Sequence, residues 1–138
     1  MTATSAHAAP TTSPLTIARL AAFAAAAAVL DLAAFAVAGA ADASMKVEGT
    51  PYEINAVAVA GASIVPILLG GLFVGFLSRR RPAAVKWFGW GGLVVALLSI
   101  ISPLVGAEDT ATGVALAAMH VFVGGAWALA LAPWKAGR

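Results

Sequence analysis

Two ionisable side chains, Asp31 and His120, stand inside long apolar stretches of this 138-residue chain. A carboxylate and an imidazole brought together can exchange a proton, since an unperturbed imidazole titrates at about pH 6.5. Inside a membrane such groups are costly, and they usually face the bundle interior with a partner. Asp31 lies about 14 residues from Ile17 and His120 about 13 residues from Pro133, so at about 1.5 Å per helical residue both fall about 20 Å from the same membrane face. The same count brings Ser63 and Ser99 to that depth, which gives one polar side chain from each of four segments. Pro66 leaves the Ala62 carbonyl without its helical donor, and Pro103 does the same to Ser99. A carboxylate, an imidazole, two hydroxyls and two released carbonyls would together form a small hydrophilic pocket able to hold water, a proton or a small cation. The same residues also admit a plainer reading, in which an Asp–His pair fixes helix register, serines bond back to their own backbone and prolines act as kinks.

Other chemistries find little support. There is no cysteine, so disulfides, thiolate metal sites and a cysteine nucleophile are excluded. Met119 and His120 are adjacent and point about 100° apart on a helix, so they cannot ligate one haem iron together. The other histidine, His7, is near the N-terminus, and a bis-histidine haem would need His120 from two subunits. No nucleophile–base–orienter set and no phosphate-cradling glycine loop is visible, because Gly89-Trp90-Gly91-Gly92 falls in an apolar segment where glycines serve packing. The expectation is a protein that is not an enzyme and carries no cofactor or metal. A net charge of +2 gives no reason to expect a nucleic-acid partner.

The elements that must position these residues follow from composition. Apolar residues make up 62% of the chain and charged residues 10%, against about 45–50% and about 25% in soluble domains. Lipid is therefore the expected solvent. Four apolar segments, 17–41, 54–78, 85–107 and 113–133, are each long enough to cross a hydrocarbon core of about 30 Å. Residues 1–16, rich in Ala, Ser, Thr and Pro, read as a disordered cytoplasmic tail, and residues 17–135 as one four-helix transmembrane domain. Short connections at 42–53, 79–84 and 108–112 make neighbouring spans antiparallel. The fold expected is an all-α, membrane-spanning four-helix bundle running up-down-up-down.

Charge sets its direction. Arg79, Arg80, Arg81 and Lys86 surround the second connection, while Arg19, Lys135 and Arg138 mark the two ends. The first connection has Asp42, Glu48 and Glu53 against Lys46, and the third has Glu108 and Asp109 without a base. The positive-inside rule puts both termini and the second connection in the cytoplasm. The arginine run can also contact anionic lipid. Trp87, Trp90, Trp127 and Trp134 fall toward the cytoplasmic side as an interfacial belt, and Tyr52 anchors the first outer connection beside a Gly49-Thr50-Pro51 turn. Ala38-Gly39-Ala40 resembles a signal-peptidase site, but the preceding apolar segment is too long and contains Asp31.

Small residues mark the expected contact faces: Ala24, Ala27, Asp31, Ala34 and Ala38 on the first helix; Gly92, Ala96, Ser99, Ser102 and Gly106 on the third; Gly113, Ala117, His120 and Gly124 on the fourth. Gly71 and Gly75 form a GxxxG on the second, suited to packing within the bundle or to dimerisation.

Two stretches resemble a known group. Leu97-Leu98-Ser99-Ile100-Ile101-Ser102-Pro103-Leu104 and the later Met119-His120-Val121-Phe122-Val123-Gly124, with Val65-Pro66 and Gly70, resemble a family of uncharacterised four-helix membrane proteins from actinobacteria. The likeness covers most of residues 17–133. It departs at Ala130-Leu131-Ala132-Pro133, where the relatives often exit through an Ile-Pro-Gly step. The resemblance implies a four-span fold in an actinobacterial plasma membrane and implies no activity. Two functions remain open from sequence. One is a non-enzymatic membrane protein that packs against itself, as a homo-oligomer, or against a membrane-protein partner. The alternative is a proton-coupled transport or pH-sensing module that uses Asp31 and His120.

Overall fold

The computed structural model describes residues 15–51 and 53–132. Among these the chain forms α1 (Ile17–Ala40), α2 (Ala56–Ser78), α3 (Ala84–Ser99), α4 (Ile101–Gly106) and α5 (Thr110–Leu131). Because α3 and α4 follow one another as a single span, four helical segments are long and apolar enough to cross a membrane. The tail expected over 1–16 lies outside the described residues except for Leu15 and Thr16. His7, Tyr52, Pro133, Trp134, Lys135 and Arg138 also lie outside them.

Side-chain caps set helix starts that hydropathy alone misplaces. Thr16 Oγ1 accepts from the Arg19 amide at 3.2 Å, Asn55 Oδ1 from Ala58 at 3.0 Å, and Asp109 Oδ1 from Thr112 at 2.8 Å. Each satisfies an amide that the first helical turn leaves without a partner. In consequence α2 begins at Ala56 rather than 54, and α5 at Thr110 rather than 113. The third segment, expected as one helix over 85–107, is broken at Ile100. Pro103 has no amide to return to Ser99, so α3 ends at Ser99 and the chain re-forms a helix from Ile101. Pro66, by contrast, sits inside an uninterrupted α2.

Helix α1 packs against both α2 and α5, α3 and α4 lie along α5, and α2 and α3 touch little. Three buried layers hold α1, α2 and α5 together. Leu20, Val74, Ala130 and Leu131 form the layer nearest the arginine turn; Ala24, Ala27, Ile67 and Ala126 form the middle one; Ala38, Val59, Ala115 and Met119 belong to the far one. Small residues permit the close approach. A Cβ on Gly71 would overlap the Leu20 side chain, so the GxxxG of α2 is occupied by α1 within the chain. A Cβ on Gly124 would come 2.5 Å from Ala96 Cβ, where α5 crosses α3.

The outer faces are strongly apolar: Val57 is 83% exposed, Val105 75% and Trp87 72%. Water would penalise such a surface by about 25 cal/mol per Å², whereas hydrocarbon does not. The molecule is thus built as a multi-pass membrane protein.

The connection between α1 and α2 is anchored rather than loose. Ala43 donates its amide to the Ala38 carbonyl at 3.0 Å while Asp42 takes a left-handed conformation (φ 57), which ends α1 in a Schellman turn. The chain then lies against the α4–α5 turn. Val47 forms an antiparallel bridge with Ala107, and the Glu48 amide donates to Gly106 at 2.8 Å.

Candidate intramembrane site

The four polar residues of the expected layer, Asp31 on α1, Ser63 on α2, Ser99 on α3 and His120 on α5, line one cavity of about 630 Å³. Ala62 and Pro66 line it too. Its walls are otherwise mainly apolar, and α2 and α3, which both line it, touch little. Each polar residue reaches it by a different local route. Asp31 projects from the inward stripe of α1 through Leu20, Ala24, Ala27 and Ala38, and is 1% exposed. Ser63 is equally buried on the α2 face that meets α1. Ser99 sits at the last turn of α3, where Pro103 breaks the span. His120 belongs to the half-buried side of α5.

Asp31 and His120 share the cavity but form no hydrogen bond with one another. Ser63 Oγ lies 2.5 Å from Asp31 Oδ2 and 2.8 Å from the Val59 carbonyl oxygen. A hydroxyl has one proton and cannot donate to both. With a proton on Asp31 Oδ2, the carboxyl donates to Ser63 and Ser63 donates on to Val59. With Asp31 ionised, Ser63 turns its proton to the carboxylate and Val59 loses that bond. Asp31 Oδ1 is buried and has no hydrogen-bond partner in either case. A buried polar atom without a partner costs about 1–3 kcal/mol, and its persistence in a fold asks for a reason.

His120 is oriented by its own helix. Nδ1 lies 2.7 Å from the Leu116 carbonyl, which can only accept, so Nδ1 carries hydrogen and donates. The neutral ring therefore presents Nε2 as an acceptor. Ser99 likewise donates back along its own helix, to Ala96 at 2.8 Å. Of the four, the Asp31–Ser63 contact alone ties two helices together.

Trp127 closes the cavity toward the arginine end. Its indole Nε1 donates to the Phe88 carbonyl at 2.9 Å. The ring is wedged between α2 and α3: a Cβ on Gly70 would come 2.9 Å from it, and one on Gly92 would overlap it. Position in the sequence predicts an interfacial place for Trp127 beside Trp87 and Trp90. Those two are largely exposed, at 72% and 63%, but Trp127 turns inward because two glycines on facing helices leave it room. Gly70 and Gly92, on facing helices at the level of Trp127, were the available signal.

Two further positions have roles beyond charge. Arg19, expected as a topology marker, donates to the Leu129 carbonyl at 2.8 Å and to Ala132 at 2.5 Å, capping the C-terminal end of α5. Arg79, Arg80, Arg81 and Lys86 flank the α2–α3 turn, Arg79 and Lys86 bordering a second cavity of about 930 Å³ at that end. At the opposite end Asp109 Oδ2 accepts from the Ser44 hydroxyl at 2.6 Å, the Thr112 hydroxyl at 2.7 Å and the Ser44 amide at 2.9 Å. Those hydroxyls, Ser44 foremost, hold the Asp109 carboxyl far below the usual carboxylate range. Thr112, fully buried, accepts in turn from the Met45 amide at 2.9 Å. By charge alone Asp109 is an acidic loop residue; its place three residues before Thr112, at the head of an apolar run, is a capping signal.

Among the described residues no three His, Asp or Glu side chains converge as metal ligands would. A family model described as a family of unknown function, DUF6069, matches residues 10–136. No curated protein and no solved structure matches the chain.

Proposed function

The chain belongs to DUF6069, whose description assigns no activity, and from its own geometry we propose a non-enzymatic plasma-membrane protein that takes up and releases a proton at the Asp31–His120 cavity, in transport or in pH sensing. Both termini face the cytoplasm in this reading, and the spans run up-down-up-down; the basic turn at 79–86 supports that orientation. The observation that carries the proposal is the unpartnered Oδ1 of Asp31, buried beside a cavity that also receives His120. A pair kept only for helix register would bond to each other. Here the imidazole bonds to its own helix and keeps Nε2 for something else.

The reading in which the layer merely fixes register, and the protein acts by packing with itself or a partner, draws on the Asp31–Ser63 contact alone. It leaves the open cavity unused.

Trp127, on the cavity wall, provides the test. In a variant whose other tryptophans are replaced by Phe, its emission should change with pH as the cavity gains or loses a proton. His120→Gln should abolish that titration and Asp31→Asn should displace its midpoint. A titration identical in all three proteins would refute the proton site.

A further inference from the structure

Three polar side chains that line this cavity have acceptor capacity to spare. Asp31 Oδ1 is unpartnered, His120 offers Nε2 once Nδ1 is spent on Leu116, and Ser99 Oγ keeps its lone pairs after donating to Ala96. The Ala62 carbonyl lacks the amide that Pro66 cannot supply. A ligand that complements this set must bring hydrogen-bond donors. It must also bring apolar bulk, because the rest of the wall is apolar and about 630 Å³ is the size range of sites for small organic molecules. A bare metal ion fits poorly: hard cations take six or more oxygen ligands, and a single carboxylate stands here. A lipid tail fills the volume but leaves Asp31 Oδ1 unsatisfied.

We infer that the cavity binds an organic ammonium ion with an apolar body, which enters from the bilayer between α2 and α3 and donates its N–H groups to Asp31 Oδ1 and His120 Nε2. The inference rests on the proton-site reading and names what the proton is exchanged for. Protonated Asp31 and a free alkylammonium become an Asp31 carboxylate paired with the bound alkylammonium, and one proton leaves. No covalent bond other than the carboxyl O–H breaks. Ser63 accommodates both states by turning its single proton from Val59 to Asp31 Oδ2. Asp31 and His120 are the two titratable side chains on the cavity wall; α2 and α3 contribute Ser63 and Ser99, which do not titrate. Protons therefore compete with the ammonium ion for Asp31, and binding weakens as pH falls.

The test uses the full chain in lipid nanodiscs and tritiated phenethylamine, an alkylamine that stays protonated below about pH 9, as a lysine side chain does. Saturable binding is expected at about pH 8, weaker binding at about pH 5.5, and phenethyl alcohol should not compete, because it brings no charge to Asp31. Asp31→Asn should bind at least about tenfold more weakly, having lost a charge-assisted hydrogen bond. Val95→Phe adds bulk on an exposed stretch of the α3 wall, away from the core, and should lower affinity severalfold even if Asp31→Asn proves unstable. Equal binding by wild type and both variants, or displacement by the alcohol, overturns the inference and leaves a generic apolar groove. Absence of phenethylamine binding while the Trp127 titration persists overturns the inference and spares the proton site; loss of both removes the two readings together.

Discussion

Neighbouring glycines on α3 should respond with opposite signs to the same substitution. Gly91 is exposed and an added Cβ would meet nothing within 4 Å, whereas a Cβ on Gly92 would overlap Trp127 Nε1 and come 2.5 Å from Cδ1 and 2.8 Å from Cε2. The indole cannot yield easily, because its far edge already rests 2.9 Å from where a Gly70 Cβ would stand, on α2. Gly92→Ala therefore forces a shift costing about 1–3 kcal/mol as overpacking. It also breaks the Trp127–Phe88 hydrogen bond, about 1 kcal/mol more. Against this stands up to about 1 kcal/mol gained by replacing glycine in a helix. The net for Gly92→Ala is a loss of about 1–3 kcal/mol, while Gly91→Ala keeps only the propensity term and should be neutral or up to about 1 kcal/mol more stable. Unfolding in mixed micelles, followed by far-UV circular dichroism with Trp emission recorded in parallel, separates the two. Emission should redden in Gly92→Ala alone. Equal stabilities for the two variants would mean that Trp127 is not wedged between α2 and α3, and the floor of the cavity would have to be drawn differently.

Two more outcomes follow from the ends of the bundle. Asp109 titrates far lower folded than unfolded, so its contribution is complete above the unfolded value of about 4 and is lost as pH falls below it toward the folded value. Melting temperature should fall through that acidic window in the wild type, and Asp109→Asn should be less stable at neutral pH and flatter below about pH 4; parallel profiles would refute the assignment. At the other end Arg19 caps α5, so Arg19→Gln should cost about 1 kcal/mol and speed amide exchange in the last turn, and Arg19→Lys, with a single ammonium in place of a fork, should restore only part. Unchanged exchange in both variants would reduce Arg19 to a topology signal.

The spans were legible because hydropathy over about 20 residues needs no knowledge of neighbours. Their edges were less so, since Asn55 and Asp109 act through single side-chain bonds that hydropathy averages away. Residues counted from helix ends put Asp31, Ser63, Ser99 and His120 at one level along the bundle, and all four line the same cavity. Rotation about each helix reads poorly. Alanine fills so much of α1 that many faces look alike, and a half-turn error would send Asp31 to lipid. Whether Asp31 and His120 bond to each other depends on rotamers, and the Leu116 carbonyl, a backbone group invisible to any motif, takes the histidine nitrogen instead. Trp127 was misread for a related reason, because a tryptophan near a helix end is interfacial unless facing helices leave it a slot.

The separation of Asp31 from His120 is itself the argument for a ligand. A directly bonded carboxylate–imidazole pair would satisfy both members and close the space between them, and its stabilisation, about 0.6 kcal/mol on average for a hydrogen bond between membrane helices, would be its whole role. In this bundle each member instead fixes one atom and keeps another: Oδ2 meets Ser63 while Oδ1 is buried without a partner, and Nδ1 meets Leu116 while Nε2 remains an acceptor. Fixing one atom of each group locks its orientation, which is what a binding site requires of its polar contacts. Trp127, admitted by Gly70 and Gly92, stands between α2 and α3, which touch little. A chain selected only for tight packing has no use for that gap; one that admits a ligand from the bilayer does.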